Sequence, residues 1–119
     1  MKMKMTSLIL AASAVLLIGC AHAGEFAGKW VDMYQGNHLI VKNLGHGHYT
    51  AKMQRETELG ARYRWMTVAT YEFTRHGDEL DGYLKHGPTL TFTLKHDGAK
   101  HLILIGHVLR GTILFRRIH

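Results

Sequence analysis

Alternation of apolar and polar residues is the feature that most restricts the fold of this chain. In residues 89–95, leucine or phenylalanine occupies every second position, with threonine or lysine between them. Residues 48–55 and 62–75 repeat this pattern, and no segment after residue 24 shows the longer period of a helix. A period of two places apolar side chains on one face of a β-strand. The sequence therefore predicts an all-β protein.

Short turns containing glycine separate the predicted strands. The stretch "RHGDELDGYLKHGPTLTFTLKHDG", residues 75–98, contains three histidines, each beside a glycine or an aspartate, and reverses about every ten residues. Strands joined in this way form an antiparallel meander, and eight of them can close into a barrel that has no unpaired edge. We expect a small closed barrel, with an open sandwich as the alternative. The predicted strands are 26–33, 38–43, 48–55, 62–75, 79–85, 89–95, 100–106 and 109–118.

The N-terminal residues predict export. Lys2 and Lys4 precede an apolar run over residues 8–18, and small residues follow. This order is typical of a cleaved signal peptide, and the apolar run is too short to span a bilayer as a helix. We therefore expect the mature protein to work outside the cytoplasm.

Two cleavage positions remain open. Leu17-Ile18-Gly19-Cys20 resembles the lipobox of bacterial lipoproteins, in which the cysteine is lipidated, whereas cleavage after Ala23 fits the ordinary signal peptidase. The lipobox implies a periplasmic protein anchored to a membrane through Cys20. The resulting divisions are a signal peptide over 1–23, or over 1–19 for a lipoprotein, and a single β-barrel domain over 24–119.

Composition argues against several functions. Residues 24–119 contain neither cysteine nor serine, so disulfides and the serine and cysteine nucleophiles of hydrolases are excluded there. No glycine-rich phosphate loop opens a helix, and we predict that the protein is not an enzyme. The chain has 15 lysines and arginines and 9 acidic residues, so loss of Lys2 and Lys4 leaves an excess of four positive charges. These charges are scattered, and nucleic acid is not an expected partner.

Two short stretches resemble the lipocalin and wider calycin superfamily. They are "FAGKWVDM", which contains Gly28 and Trp30, and "LFRRI", which contains Arg116 and Arg117. In that superfamily the tryptophan closes one end of a barrel, and a late arginine packs across its ring. The resemblance implies barrel closure by Gly28, Trp30 and one of the two arginines. It also implies binding inside the barrel, although a chain this short can have a filled interior.

Histidine is unusually frequent, with ten in the chain. Imidazole binds zinc, copper, nickel and haem iron, so a transition metal or haem is a possible cofactor. Successive turns lie at opposite ends of a barrel, which places His76 and His96 at one end and His86 at the other. His46 and His48 lie at the first end, where an extended backbone would direct both to one face. These four form the predicted metal site. The alternative is that they are turn residues without a ligand, since histidine tolerates positive φ.

The last two predicted strands are apolar on both faces. Residues 102–118 therefore form either a well-buried closing pair of strands or a contact with a second copy or a membrane. The function predicted from these features is a non-enzymatic envelope protein that binds a small ligand or a partner protein. The alternatives are a histidine-rich metal or haem carrier, and an inhibitor or assembly factor acting through residues 102–118.

Overall fold

The computed structural model describes residues 25–118, and the predicted signal peptide and Cys20 lie outside these residues. The described part is all-β, and its eight strands form one closed antiparallel barrel. The predictions of fold class and closed meander are thus confirmed, and the sandwich alternative is wrong. The strands are β1 Gly28–Asp32, β2 His38–Gly45, β3 His48–Leu59, β4 Arg62–His76, β5 Glu79–Leu84, β6 Thr91–His96, β7 His101–Gly106 and β8 Gly111–Ile118.

Every strand pairs with its neighbours in the sequence, and β1 closes the ring by pairing with β2 and β8. Trp30 lies opposite Leu39 of β2 on one side and opposite Arg117 of β8 on the other. No helix among the described residues is long and apolar enough to cross a bilayer.

The alternating strands define two ends of the barrel. The N-terminal end contains the start of β1, the end of β8 and the turns at 46–47, 77–78 and 97–100. The hairpin end contains the other four turns, at 33–37, 60–61, 85–90 and 107–110.

Inward-facing side chains fill the barrel. Leu102 and Leu104 of β7 and Phe115 of β8 are buried inside, whereas Ile103 and Leu114 lie opposite each other on the outer face and are half-buried. A barrel of eight strands is just wide enough for its side chains to occupy the interior. The buried core consists of Phe26, Trp30, Leu39, Val41, Tyr49, Ala51, Met53, Tyr71, Phe73, Leu80, Leu94, Leu102, Leu104 and Phe115.

The third and fourth strands extend beyond the barrel. Pairing of β2 with β3 ends at His38 and Gln54, and pairing of β4 with β5 begins at Tyr71 and Leu84. Residues 55–69 therefore form a two-stranded projection, which we call the ribbon. A register shift beside Gln54 marks its start, as expected where a β-bulge bends a strand. The prediction that β3 ends near residue 55 is wrong, because apolar alternation stops where both faces of the strand become exposed.

Two leucine substitutions distinguish an inward position of β7 from the exposed turn that joins β7 to β8. Leu102 is 0% exposed and Leu109 is 67% exposed. We expect Leu102→Ala to lower the free energy of unfolding by about 2–5 kcal/mol, because it leaves a cavity in a packed core. Leu109→Ala is expected to change it by less than about 0.5 kcal/mol. Urea denaturation of both variants measures the difference, and similar losses would contradict the assignment of the interior.

Candidate functional site

A tryptophan and an arginine close the N-terminal end. Trp30 is fully buried, and its Nε1 donates a hydrogen bond of 3.0 Å to the Phe26 carbonyl oxygen. The Arg117 guanidinium lies 4.1 Å from the centroid of the Trp30 ring. The same guanidinium donates to the carbonyl oxygens of Ala27 and Glu25, at 3.2 Å each. It thus combines a cation-π contact with hydrogen bonds to the chain that enters the barrel.

Gly28 makes room for this arginine. Its φ is 139°, and a Cβ atom built there would lie 2.7 Å from Nη1 of Arg117. A larger residue would be strained and would displace the guanidinium. Arg116 lies opposite Val31 and is exposed, so only Arg117 makes the contact that the resemblance implies.

His96 lies inside this closed end. Its ring centroid is 4.4 Å from that of Phe26 and 6.3 Å from that of Trp30. Both of its ring nitrogens are buried, and neither forms a hydrogen bond with the residues that the structure describes. Burial lowers the pKa of His96, and the nearby charges of Arg117 and Arg75 lower it further, although Glu25 opposes the shift. The neutral ring is therefore part of the barrel closure.

The four predicted metal ligands lie at the N-terminal end, but their side chains are in different environments. His46 lies in a turn at a φ of 55°, so the expectation that it shares an extended face with His48 is wrong. His76 Nδ1 lies 3.0 Å from Oδ2 of Asp81, and His96 is the buried ring described above. Within residues 25–118, no three histidine, cysteine or acidic side chains form a group that could hold a metal ion. The four histidines therefore do not form a metal site in the part of the chain that the structure describes. Binding of a metal or of haem stays a prediction.

A second polar group, on the outer face, links two strands and a turn. Thr93 is 7% exposed and donates a 2.6 Å hydrogen bond to Oδ1 of Asp81. This bond is the largest cause that lowers the pKa of Asp81, and His76 contributes further. His107 Nε2 lies 2.7 Å from the Thr93 hydroxyl oxygen. These hydrogen bonds join β5, β6 and the turn at 107–110 on the outer wall of the barrel.

The hairpin end has the most distinctive surface of the described chain. Nine of the eleven large apolar side chains that are exposed lie there: five on the ribbon, two on the neighbouring turn at 33–37, and two on the turn at 107–110, across the barrel from the ribbon. Exposed apolar residues that gather in one region mark interaction sites more often than scattered ones do. The nine are Met33, Tyr34, Leu59, Tyr63, Trp65, Met66, Val68, Val108 and Leu109.

Charges divide the ribbon into two faces. Arg55, Arg62 and Arg64 share the face that continues the inner face of the barrel, which we call the basic face. Glu56 and Glu58 lie on the opposite face. The cross-strand partners follow the same division: Met66, Leu59 and Thr57 lie opposite the arginines, and Trp65 and Tyr63 lie opposite the glutamates.

Contacts at its base hold the ribbon to the barrel. The rings of His38 and Trp65 stack with centroids 3.8 Å apart and an interplanar angle of 12°. Burial lowers the pKa of His38, as does Lys29, so the stacked imidazole is neutral at pH 7. On the basic face, Arg55 Nε donates to Oδ1 of Asn37 at 3.4 Å.

Lined entirely by described residues, three cavities open at the hairpin end, with volumes of about 240, 180 and 200 Å³. Each is smaller than the ~300–1,000 Å³ typical of sites for drug-sized ligands. They are suited to single side chains. The first is lined by Thr67, Val68, Ala69, Thr70, Leu84 and His86; the second includes Phe92, Leu109 and Ile113; and the third includes Asp32, Tyr34 and Gln35.

Comparisons with protein-family models, with curated proteins and with solved structures find no match to this chain. The calycin resemblance therefore still depends on Gly28, Trp30 and Arg117, now joined by the barrel itself. The sequence patterns did not identify the ribbon surface. A signal was present in "RETELGARYRW", where charges and aromatic residues are interleaved around a glycine turn.

The two candidate arginines give a matched test of barrel closure. We expect Arg117→Ala to lower the free energy of unfolding by about 2–4 kcal/mol, because it removes a cation-π contact and two hydrogen bonds. Arg116→Ala is expected to change it by less than about 0.5 kcal/mol, because that side chain is exposed. Urea denaturation measures both. Equal losses would mean that the Trp30 contact contributes nothing to closure.

The environment of His96 predicts how stability depends on pH. Its folded pKa lies below the ordinary value of 6.5, so on acidification the unfolded chain binds this proton first. Stability should therefore fall as the pH drops through 6.5 toward the folded pKa. We expect this part of the fall to vanish in His96→Phe and in His96→Gln, which both remove the titrating group. Denaturant midpoints measured from about pH 7.5 to 5 test it. A slope unchanged in both variants would contradict the assignment.

Proposed function

We propose that this chain is an exported, non-enzymatic binding protein of the bacterial envelope, and that its hairpin end binds a partner protein. The observation that carries the proposal is the set of nine exposed large apolar side chains at that end, five of which lie on the ribbon that projects from the barrel. Folding alone does not require such an extension, because pairing within the barrel is complete without it.

The packing of the barrel favours a protein over a small ligand. Buried side chains fill the interior, and the three cavities at the hairpin end are each of side-chain size. A ligand enclosed as in a lipocalin needs a larger space. Several side-chain-sized depressions beside a projecting surface suit the separate anchor residues of a partner protein.

The residue types of the ribbon support the same conclusion. Tyr63, Trp65, Arg62 and Arg64 lie next to one another in the sequence and are exposed. Tryptophan, tyrosine and arginine are the residues most often found to dominate binding energy at protein interfaces. The basic face further suggests a partner with an acidic surface.

The position of the termini is consistent with this role. Phe26 and Ile118 both lie at the N-terminal end, opposite the ribbon. If Cys20 is lipidated, five residues separate it from Phe26, and the six residue steps between them reach at most ~22 Å. The hairpin end would then face away from the anchoring membrane. Val108 and Leu109 belong to this end, so the inhibitor or assembly-factor alternative for residues 102–118 involves the same end of the barrel.

Site-specific crosslinking tests the proposal in the native host. The photoreactive residue benzoylphenylalanine replaces either Tyr63, which is 65% exposed on the ribbon, or Leu44, which is 60% exposed at the opposite end. We expect a discrete protein adduct from position 63 and none from position 44, identified by mass spectrometry. The adduct should be lost when Arg62 and Arg64 are changed to glutamate. Adducts from neither position, or equally from both, would overturn the proposal.

A further inference from the structure

One edge of the ribbon is an unpaired strand edge. Pairing of β4 with β5 stops at Tyr71, apart from one hydrogen bond from Lys85 N to Thr70 O. From residue 62 to 69, β4 pairs with β3 alone among the described strands. Along a strand, the side-chain face and the hydrogen-bonding side alternate together. The peptide groups of Tyr63 and Trp65, which share the outer face with Thr70, therefore point to the unpaired side.

A cavity lies at the start of this edge. The space of about 240 Å³ is lined by Thr67, Val68, Ala69 and Thr70 of β4 and by Leu84 and His86, which lie where β5 ends. A strand that continued the line of β5 along β4 would pass over it. Its volume suits one aliphatic side chain of that strand. The unpaired edge of β4 and the cavity therefore lie next to each other.

We infer that the partner binds by strand addition: an extended segment pairs with β4 residues 62–69 and places one apolar side chain in the cavity. This inference rests on the proposed function and specifies how that surface is used. Added strands gain affinity from main-chain hydrogen bonds and specificity from pockets for alternate side chains. Both elements are present along this edge of the ribbon.

The two faces of the ribbon specify the chemistry of the segment. On one face its side chains meet Arg62 and Arg64, and on the other they meet Tyr63 and Trp65. Neighbouring strands are stabilised by opposite charges and by apolar pairs on the same face. The segment therefore alternates acidic and apolar residues.

The same charges disfavour a second copy of this chain as the occupant. Pairing of two β4 edges would bring Arg62 and Arg64 of both copies onto one face of a shared sheet. Like charges placed there are destabilising, and charged residues commonly protect exposed strand edges from self-association. An acidic segment removes this repulsion.

Two methylated peptides test the backbone pairing. The probe is a fluorescein-labelled peptide of sequence Val-Glu-Val-Glu-Val-Glu-Val, titrated with the mature protein and followed by fluorescence anisotropy. One derivative is N-methylated on its glutamates and the other on its internal valines. A strand presents the N–H groups of alternate residues to each side, so only one derivative should lose binding, by at least about tenfold. The other should bind within about twofold of the parent peptide.

Charge reversal provides the second arm. Changing Arg62 and Arg64 to glutamate should abolish binding of the glutamate peptide and create binding of the corresponding Val-Lys peptide. Arg116→Glu, at an exposed position on β8, should leave the glutamate peptide bound. A dimer that the peptide dissociates, detected by analytical ultracentrifugation, would identify a second copy as the occupant and overturn the inference.

The outcomes separate this inference from the proposed function. Binding that neither methylation weakens would mean that the ribbon is recognised through side chains alone, and it would overturn the inference. The proposed function would still be supported if benzoylphenylalanine at position 63 gave a crosslink. Absence of peptide binding together with such a crosslink would likewise overturn the inference and keep the function. No peptide binding and no crosslink would overturn both.

Discussion

Closure of the barrel by its first strand is the constraint on which the rest of the structure depends. β1 has five residues and pairs on both sides, so without it β2 and β8 would each expose an edge. Trp30 lies at the centre of this strand, and the Arg117 guanidinium packs across its ring. A ring closed so tightly must fill its interior with its own side chains. The binding that we propose is therefore placed outside the barrel, at one of its ends.

The ribbon differs from the barrel in its strand pairing and in the exposure of its side chains. Barrel strands have partners on both sides, whereas ribbon strands have one partner each and expose both faces. A two-stranded sheet is only marginally stable alone, so the His38 stack and the Arg55 contact at its base matter for its position. Local departures of this kind are expected at functional sites, where stability is not the only requirement. This is the physical reason for placing the proposed binding surface on the ribbon rather than on the larger barrel wall.

The sequence predicted what depends on local patterns and chain reversal. The eight strands followed from alternation and apolar runs separated by glycine-containing turns, and the grouping of His76 with His96 followed from turns that alternate between the two ends. The choice between Arg116 and Arg117 was not predictable, because it depends on the register between β1 and β8. Burial of His96 and the bond from Thr93 to Asp81 were missed for the same reason, since both depend on contacts between distant strands.

The ribbon escaped prediction for a different reason. In β3 the alternation separates charges rather than burial, so a search for apolar faces ends this strand near residue 55, although Glu56 and Glu58 alternate as strictly as the core residues do. In β4 the alternation of Tyr63 and Trp65 predicted the strand but not that these side chains are exposed. An exposed strand edge flanked by arginines resists pairing with itself and attracts an acidic segment. In the proposed mode of binding, one charge pattern both disfavours self-association and selects the partner. The charge pattern of an isolated hairpin is therefore informative about function where its hydrophobic pattern is not.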